Sequence, residues 1–243
     1  MWTGLEEDYP HRKMAEPEPL VRVLIILMTC FLLFHLSSPV AVTPTPPAGI
    51  LCIPREWDAL RDFKAGLNDF GNILPSWPGT DCCWWKGVIC SNRTGHVVAL
   101  RIHSERYSFP FATIGGEIHS SLLSLRHLKQ LDLSYNNFEG QPIAELIDTL
   151  RSLTHLNLSY SNFSGRIPPH IGNLSNLLIL QLNSYPDNLP KIQVIPHSHD
   201  LAWVSGLRKL QVLNMSGMDL SAAVDWSHSV NMLPASVATI GIS

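Results

Sequence analysis

One spacing governs what this chain can fold into: apolar-x-x-apolar-x-apolar recurs six times from residue 97 to the end. It reads Val97-Leu100-Ile102, Leu128-Leu131-Leu133, Leu153-Leu156-Leu158, Leu177-Leu180-Leu182, Leu210-Leu213-Met215 and Val237-Ile240-Ile242, with middle positions 31, 25, 24, 33 and 27 residues apart. Alternate residues of an extended segment point to one side, so Leu131 and Leu133 share a face and meet their equivalents in neighbouring repeats. Each apolar side chain buried in this way contributes roughly 1.5–3 kcal/mol. One repeat cannot cover its own apolar side, so the repeats must stack as coils. Their strands then make a parallel sheet on the inner face of a curved solenoid, and the rest of each coil returns over the outside in turns and short helical segments. The interval from Asn183 to Gly206 carries about nine extra residues and three prolines, and is expected to form an irregular outer loop.

The N-terminus reads as a targeting segment. Val23 to Leu36 is an apolar run preceded by Arg22 and followed by Ser37-Ser38-Pro39. Its length suits the core of a secretory signal and is short of the roughly 20 residues a membrane span needs. Residues 1–43 are therefore assigned to a signal region, with an uncleaved anchor as the rival. Met1 to Val21 is long and acidic for such a segment, and Met14 gives a more usual start. The mature product is expected in the secretory pathway, either in the apoplast or at the plasma membrane if a longer form carries a span.

Cysteine usage fits that compartment. Cys30 lies in the apolar run, while Cys52, Cys82, Cys83 and Cys90 cluster in one stretch. Four clustered cysteines in a secreted chain read as disulfides, with three possible pairings. Joining the neighbours Cys82 and Cys83 strains the backbone, and Cys52–Cys82 with Cys83–Cys90 is the pairing we expect. Zinc is the rival, but adjacent cysteines lack the usual ligand spacing. Five glycosylation sequons begin at Asn92, Asn157, Asn162, Asn173 and Asn214, and modification of several is expected. The 17 basic and 20 acidic side chains give a net charge of −3. That balance supplies no basic face for a nucleic acid.

A period of roughly 20–29 residues with this leucine spacing is that of a leucine-rich repeat. Ser124 to Phe138 (SLRHLKQLDLSYNNF) and Leu150 to Pro168 (LRSLTHLNLSYSNFSGRIP) resemble its plant-specific form, LxxLxxLxLSxNxFxGxIP. Cys52, Glu56, Ala59-Leu60, Phe63-Lys64, Ser76-Trp77 and Asp81-Cys-Cys-Trp-Trp-Lys-Gly-Val-Ile-Cys90 resemble the N-terminal cap of plant receptor-like proteins and receptor kinases. The resemblance spans about residues 50–243. It implies a right-handed α/β leucine-rich-repeat solenoid with a parallel inner sheet and an N-terminal disulfide cap. Residues 44–95 would be the cap and 96–243 about five and a half repeats, incomplete at the C-terminus, as in a truncated receptor-like protein. Glu56 to Leu67 is expected to be a helix with Leu60, Phe63 and Leu67 on one stripe, Pro54 near its start, and Trp84-Trp85 in the cap core. Three features depart from the family pattern. Arg61 stands at a usually apolar cap position and Trp57 at a usually charged one. The turn asparagine is present as Asn136, but Glu105, Ser161, Tyr185 and Met218 replace it in other coils.

Nothing in the sequence points to catalysis. There is no phosphate loop, HExxH or nucleophile elbow, so no enzyme, cofactor or metal is expected. His197-Ser-His199-Asp200 is read as a solvated loop. Asp58, Asp62 and Asp69 are read as helix-face and turn residues. The functional candidates are exposed strand positions between the leucines: Arg101, Lys129, Gln130, Asp132, Tyr135, Thr154, His155, Tyr160 and Gln181. Tyr and Arg are favoured anchors of interfaces. By resemblance, the expected function is recognition of an extracellular peptide, protein or glycan in plant defence or development, with a co-receptor kinase as partner of a full-length receptor. The alternatives are a secreted inhibitor of a microbial cell-wall hydrolase, resembling polygalacturonase inhibitors, and a non-functional fragment.

Overall fold

The computed structural model describes residues 51–77, 79–104, 113–143, 147, 149–184, 196–235 and 237–241. The apolar run from Val23 to Leu36, Cys30 and Met14 lie outside the described residues, as do Glu105 and Tyr185. Among the described residues no helix is long and apolar enough to cross a membrane.

The repeat spacing becomes a parallel sheet in the register the leucines demand. Strands β1 (Leu67–Asp69), β2 (Val88–Cys90), β3 (Val97–Arg101), β4 (Ile114–Gly116), β5 (Gln130–Asp132), β6 (His155–Asn157), β7 (Ile179–Gln181), β8 (Val212–Asn214) and β9 (Thr239–Gly241) follow in chain order. A seven-stranded sheet has the order β2-β3-β5-β6-β7-β8-β9, while β1 and β4 pair separately as an antiparallel ribbon. From β3 onward every pairing is parallel and aligns Leu100, Leu131, Leu156, Leu180, Leu213 and Ile240 in one row. The first five are at most 1% exposed, whereas Ile240 is 44% exposed. The difference follows from stacking: each buried leucine has a coil or the cap strand β2 on either side, and Ile240 stands in the last described strand. This is an α/β leucine-rich-repeat solenoid.

The outer returns are 3₁₀ segments at Ser120–Ser124, Pro169–Asn173 and Ala202–Gly206. Each contributes a buried residue (Leu122, Ile171, and Trp203 with Val204) to the same core. Two returns touch through glycine: a Cβ on Gly172 would lie 2.4 Å from the Trp203 carbonyl oxygen, so only glycine allows that approach. Behind the turns, Phe138 and Phe163 stack with centroids 4.7 Å apart, repeating the side-chain ladder one layer out.

The N-terminal cap closes the first coil. Helix α1 (Pro54–Ala65) begins with proline, whose missing N–H costs nothing in the first turn, and buries Ala59, Leu60 and Phe63. It ends two residues earlier than the apolar stripe suggested. Leu67 belongs to β1, where pairing with Gly116 takes its backbone out of the helix. Cys52–Cys82 and Cys83–Cys90 are bonded, with Cα atoms 5.5 and 5.4 Å apart. The Asp81 carboxylate accepts from the backbone N–H of both Cys52 and Cys83, which sets the two bridges side by side. Trp77 and Trp85 stack at 5.1 Å and are each 2% exposed. Trp84, expected in the same core, is 50% exposed. It ends the 3₁₀ turn Cys82–Trp84, where neighbouring side chains diverge, so only one of the two tryptophans can point inward. Exposed Arg61 pairs with Asp58 and Asp62 and covers the Trp57 ring at 5.1 Å, which accounts for both departures from the cap pattern.

Candidate recognition surface

The inner sheet presents two outward rows beside the buried leucines. One runs Ala99, Gln130, His155, Ile179, Val212, Thr239, and the other Arg101, Asp132, Asn157, Gln181, Asn214, Gly241. All of the strand candidates in those rows therefore share one face, in contact order across adjacent coils. The polar members are held by hydrogen bonds. The Arg101 guanidinium donates to Gln130 Oε1, and Asp132 accepts from the Ser134 hydroxyl at 2.7 Å with His103 Nδ1 at 3.8 Å.

The Thr154 hydroxyl donates to the Lys129 carbonyl at 3.0 Å, which uses its only proton. The 2.8 Å contact between Thr154 Oγ1 and His155 Nδ1 must then be donated by the imidazole, leaving Nε2 as an acceptor. Burial first, and then the nearby Arg101 charge, hold His155 below the ordinary imidazole pKa, so it is a neutral acceptor at neutral pH. Gln181 and exposed Lys129 complete the polar part.

Tyr135 and Tyr160 sit one turn beyond their strands, rings stacked at 5.1 Å. Both have left-handed backbones, with φ of 56° and 57°. The equivalent position two coils on is Gly217, with φ of 75°. Three coils thus take positive φ at this turn, a conformation glycine adopts freely and tyrosine only at a cost of roughly 1–2 kcal/mol. Keeping aromatics there concentrates apolar ring area at the edge of the polar rows.

One feature of this surface was not legible in the sequence. Ile179 and Val212 are half-buried apolar members of the first row, so that row changes from polar at β5–β6 to apolar at β7–β8, while the second row stays polar through Gln181 and Asn214. The signal was present, since they sit between the leucines, but apolar residues there read as more core. Asn157 and Asn214, both sequon asparagines, lie on the second row, and their side-chain oxygens accept from the Ser159 and Ser216 N–H groups. Asn92 and Asn173 are exposed, while Asn162 donates to Asn137 at 2.8 Å.

The remaining residues singled out from the sequence lie elsewhere. Asp69 accepts from the Ile73 and Leu74 N–H groups, as a turn residue does. Asp58 and Asp62 are exposed on α1. His197 differs from its reading as part of a solvated loop: it is half-buried and bridges Arg166 and Asp219 in parallel, because the outer loop rejoins the coil returns there. Asn136 is fully buried and donates to the Ile102 and Leu133 carbonyls while accepting from Ser104 and the Ile114 N–H. Ser161 takes its place one coil on with a single hydroxyl donated to the Leu133 carbonyl.

A disulfide-stapled cap followed by stacked 24- to 33-residue coils with a broad inner sheet defines a leucine-rich-repeat scaffold of the plant type. The sequence matches the family described as "Leucine rich repeat N-terminal domain" over residues 53–91, and leucine-rich repeats over 124–141 and 152–174. It is 37% identical to the receptor-like protein EIX1 of Solanum lycopersicum over 76% of the chain and 18% of that protein. With the receptor-like protein EIX2 of the same species it shares 48% over 40% of the chain and 10% of that protein. The ectodomain of the Arabidopsis receptor kinase HAESA, solved with an IDA peptide hormone ligand, superposes with a TM-score of 0.56 at 25% identity. That superposition covers 78% of this chain and 29% of HAESA. Over its described span the chain belongs with the plant leucine-rich-repeat receptor-like proteins, and it covers less than a fifth of the length of the two relatives named here.

Proposed function

We propose that this chain is the N-terminal part of an extracellular recognition module, binding a peptide, protein or glycan ligand in plant defence or developmental signalling. The role is binding rather than catalysis, and a longer form would pass the signal to a co-receptor kinase. The observation that carries the reading is the inner face itself. Arg101, Gln130, Asp132 and His155 lie side by side on adjacent strands as a polar patch, bordered by the Tyr135–Tyr160 stack, and the first row runs on into apolar Ile179 and Val212. A polar-to-apolar strip of this kind suits an extended ligand that anchors one end by hydrogen bonds and buries the other. The HAESA ectodomain, whose solved complex holds a peptide hormone, offers the same scaffold for such binding.

The test is binding of the secreted, disulfide-bonded chain to arrays of apoplastic peptides and cell-wall oligosaccharides. Ligands retained by the wild type should be lost by Arg101→Glu with His155→Glu, and kept by Arg151→Glu on an exposed outer turn. If both variants behave like the wild type, the inner face is not the recognition surface. Glycans on both Asn157 and Asn214 would obstruct the second row and shift binding to the flanks, and glycopeptide mapping of the secreted chain decides that point.

A further inference from the structure

We propose that Glu56, His96 and His127 form a binding site for a divalent transition-metal ion, zinc by the chemistry of its ligands, joining the cap to the first coils. Glu56 opens α1 and is only 2% exposed. A carboxylate so deeply buried must have its charge answered. Its Oε2 accepts from the Val97 N–H at 2.7 Å, which fixes the carboxylate plane. Its Oε1 has His96 Nδ1 at 2.9 Å and His127 Nδ1 at 4.0 Å. One ligand atom from each of the three residues lies within 4.8 Å of the others.

Two imidazoles and one carboxylate are a zinc ligand set, with the fourth position left for water. Tetrahedral bonds of about 2.1 Å separate neighbouring ligand atoms by roughly 3.4 Å, which falls between the two distances to Oε1. The Val97 N–H on Oε2 acts as the outer hydrogen bond that orients a ligating carboxylate. Among the described residues, the other cluster of potential ligands, Cys52, Cys82 and Cys83, is committed to disulfides.

A purely structural role explains His96, whose hydrogen bond partners the buried carboxylate. It does not explain His127, which is 57% exposed and stacks on His96 with centroids 3.8 Å apart and planes 22° apart. The lone pairs of nearly parallel rings do not converge on one ion. Binding therefore requires His127 to turn out of the stack, which its exposed place in the turn before β5 permits, and His96 to release the Nδ1 proton it donates to Glu56, with Nε2 keeping or taking up the ring's one proton. The ion would link α1 to segments 40 residues away at His96 and farther still at His127, adding a third tie to the two disulfides.

The experiment titrates the chelator-treated, disulfide-bonded chain with zinc chloride, using magnesium chloride as the hard-cation control. Calorimetry and thermal unfolding are read together, and cobalt(II) substitution reports coordination by its visible absorption. The expected result is one equivalent of zinc bound, a rise in Tm with zinc and none with magnesium, and tetrahedral cobalt bands. His127→Gln should leave the metal-free Tm unchanged and weaken zinc binding by more than about 100-fold, beyond the loss typical of an outer-shell change. His228→Gln, on an exposed helix elsewhere, should change neither. No saturable binding in the wild type, or binding that His127→Gln leaves intact, overturns the proposal.

Discussion

Replacing Asn136 with alanine should be the most damaging single polar change in the chain. The side chain is 0% exposed and makes four hydrogen bonds. Alanine removes the acceptor for the Ile114 N–H at 3.2 Å and the donor to the Ile102 carbonyl at 2.5 Å. It also strips the Ser104 hydroxyl of its 2.8 Å partner. The Leu133 carbonyl keeps the Ser161 hydroxyl at 2.6 Å, and Ser104 can rotate, so two main-chain groups carry most of the loss. At about 1–3 kcal/mol for each of these two unsatisfied buried groups, the cost is about 2–6 kcal/mol. Ser161→Ala is the internal comparison, because the Leu133 carbonyl still accepts from Asn136 at 2.9 Å; it should cost about 1 kcal/mol. The assay is guanidinium unfolding followed by tryptophan fluorescence, together with hydrogen exchange at the Ile114 amide, since solenoids can open coil by coil. If Asn136→Ala costs no more than Ser161→Ala, or the Ile114 amide keeps its protection, the idea that this asparagine anchors the first turns is wrong.

Three further outcomes follow from the geometry. Cys52→Ser with Cys82→Ser opens a loop with a sequence separation of 30, and should lower stability by about 3–4 kcal/mol in the loop-entropy model, read by unfolding under non-reducing conditions. Tyr135→Gly relieves a positive φ while removing a ring stack, so stability should change by under about 1 kcal/mol while affinity for any inner-face ligand falls; a large loss of stability would contradict the strain argument. For His155, the folded pKa lies below the unfolded one, so the unfolded chain takes up the proton first as pH falls. This residue therefore destabilises the fold progressively as pH drops from its unfolded to its folded pKa. An NMR titration should show that Arg101→Gln raises this pKa without restoring the ordinary value, because burial is the larger cause.

The inner ladder was legible because its physics is local and periodic: alternation along a strand places Leu131 and Leu133 inward, and stacking forces the register. For the disulfides, the strain of linking neighbours removed one pairing of three, and the choice between the other two rests on the fold of the cap. Other features depended on distances the sequence does not contain. Leu67 was placed on the helix by its spacing, but Gly116, far along the chain, draws it into a ribbon. Trp84 and Trp85 look alike until the 3₁₀ turn sends one of them outward. Glu56 stood out only as part of a cap motif, and its partners His96 and His127 meet it only once the cap folds onto the first coils. The apolar change at Ile179 and Val212 was hidden for a different reason, because apolar residues inside a repeat read as core whichever way they point.

Hydrogen exchange on the secreted chain, with and without a ligand found on the arrays, tests the recognition surface most directly. The account predicts ligand protection along the inner strands and the turns after them, at residues 129–135, 154–160 and 178–181, with the outer 3₁₀ returns unchanged. Protection confined to the outer returns or the cap, with those inner segments unaltered, would contradict it.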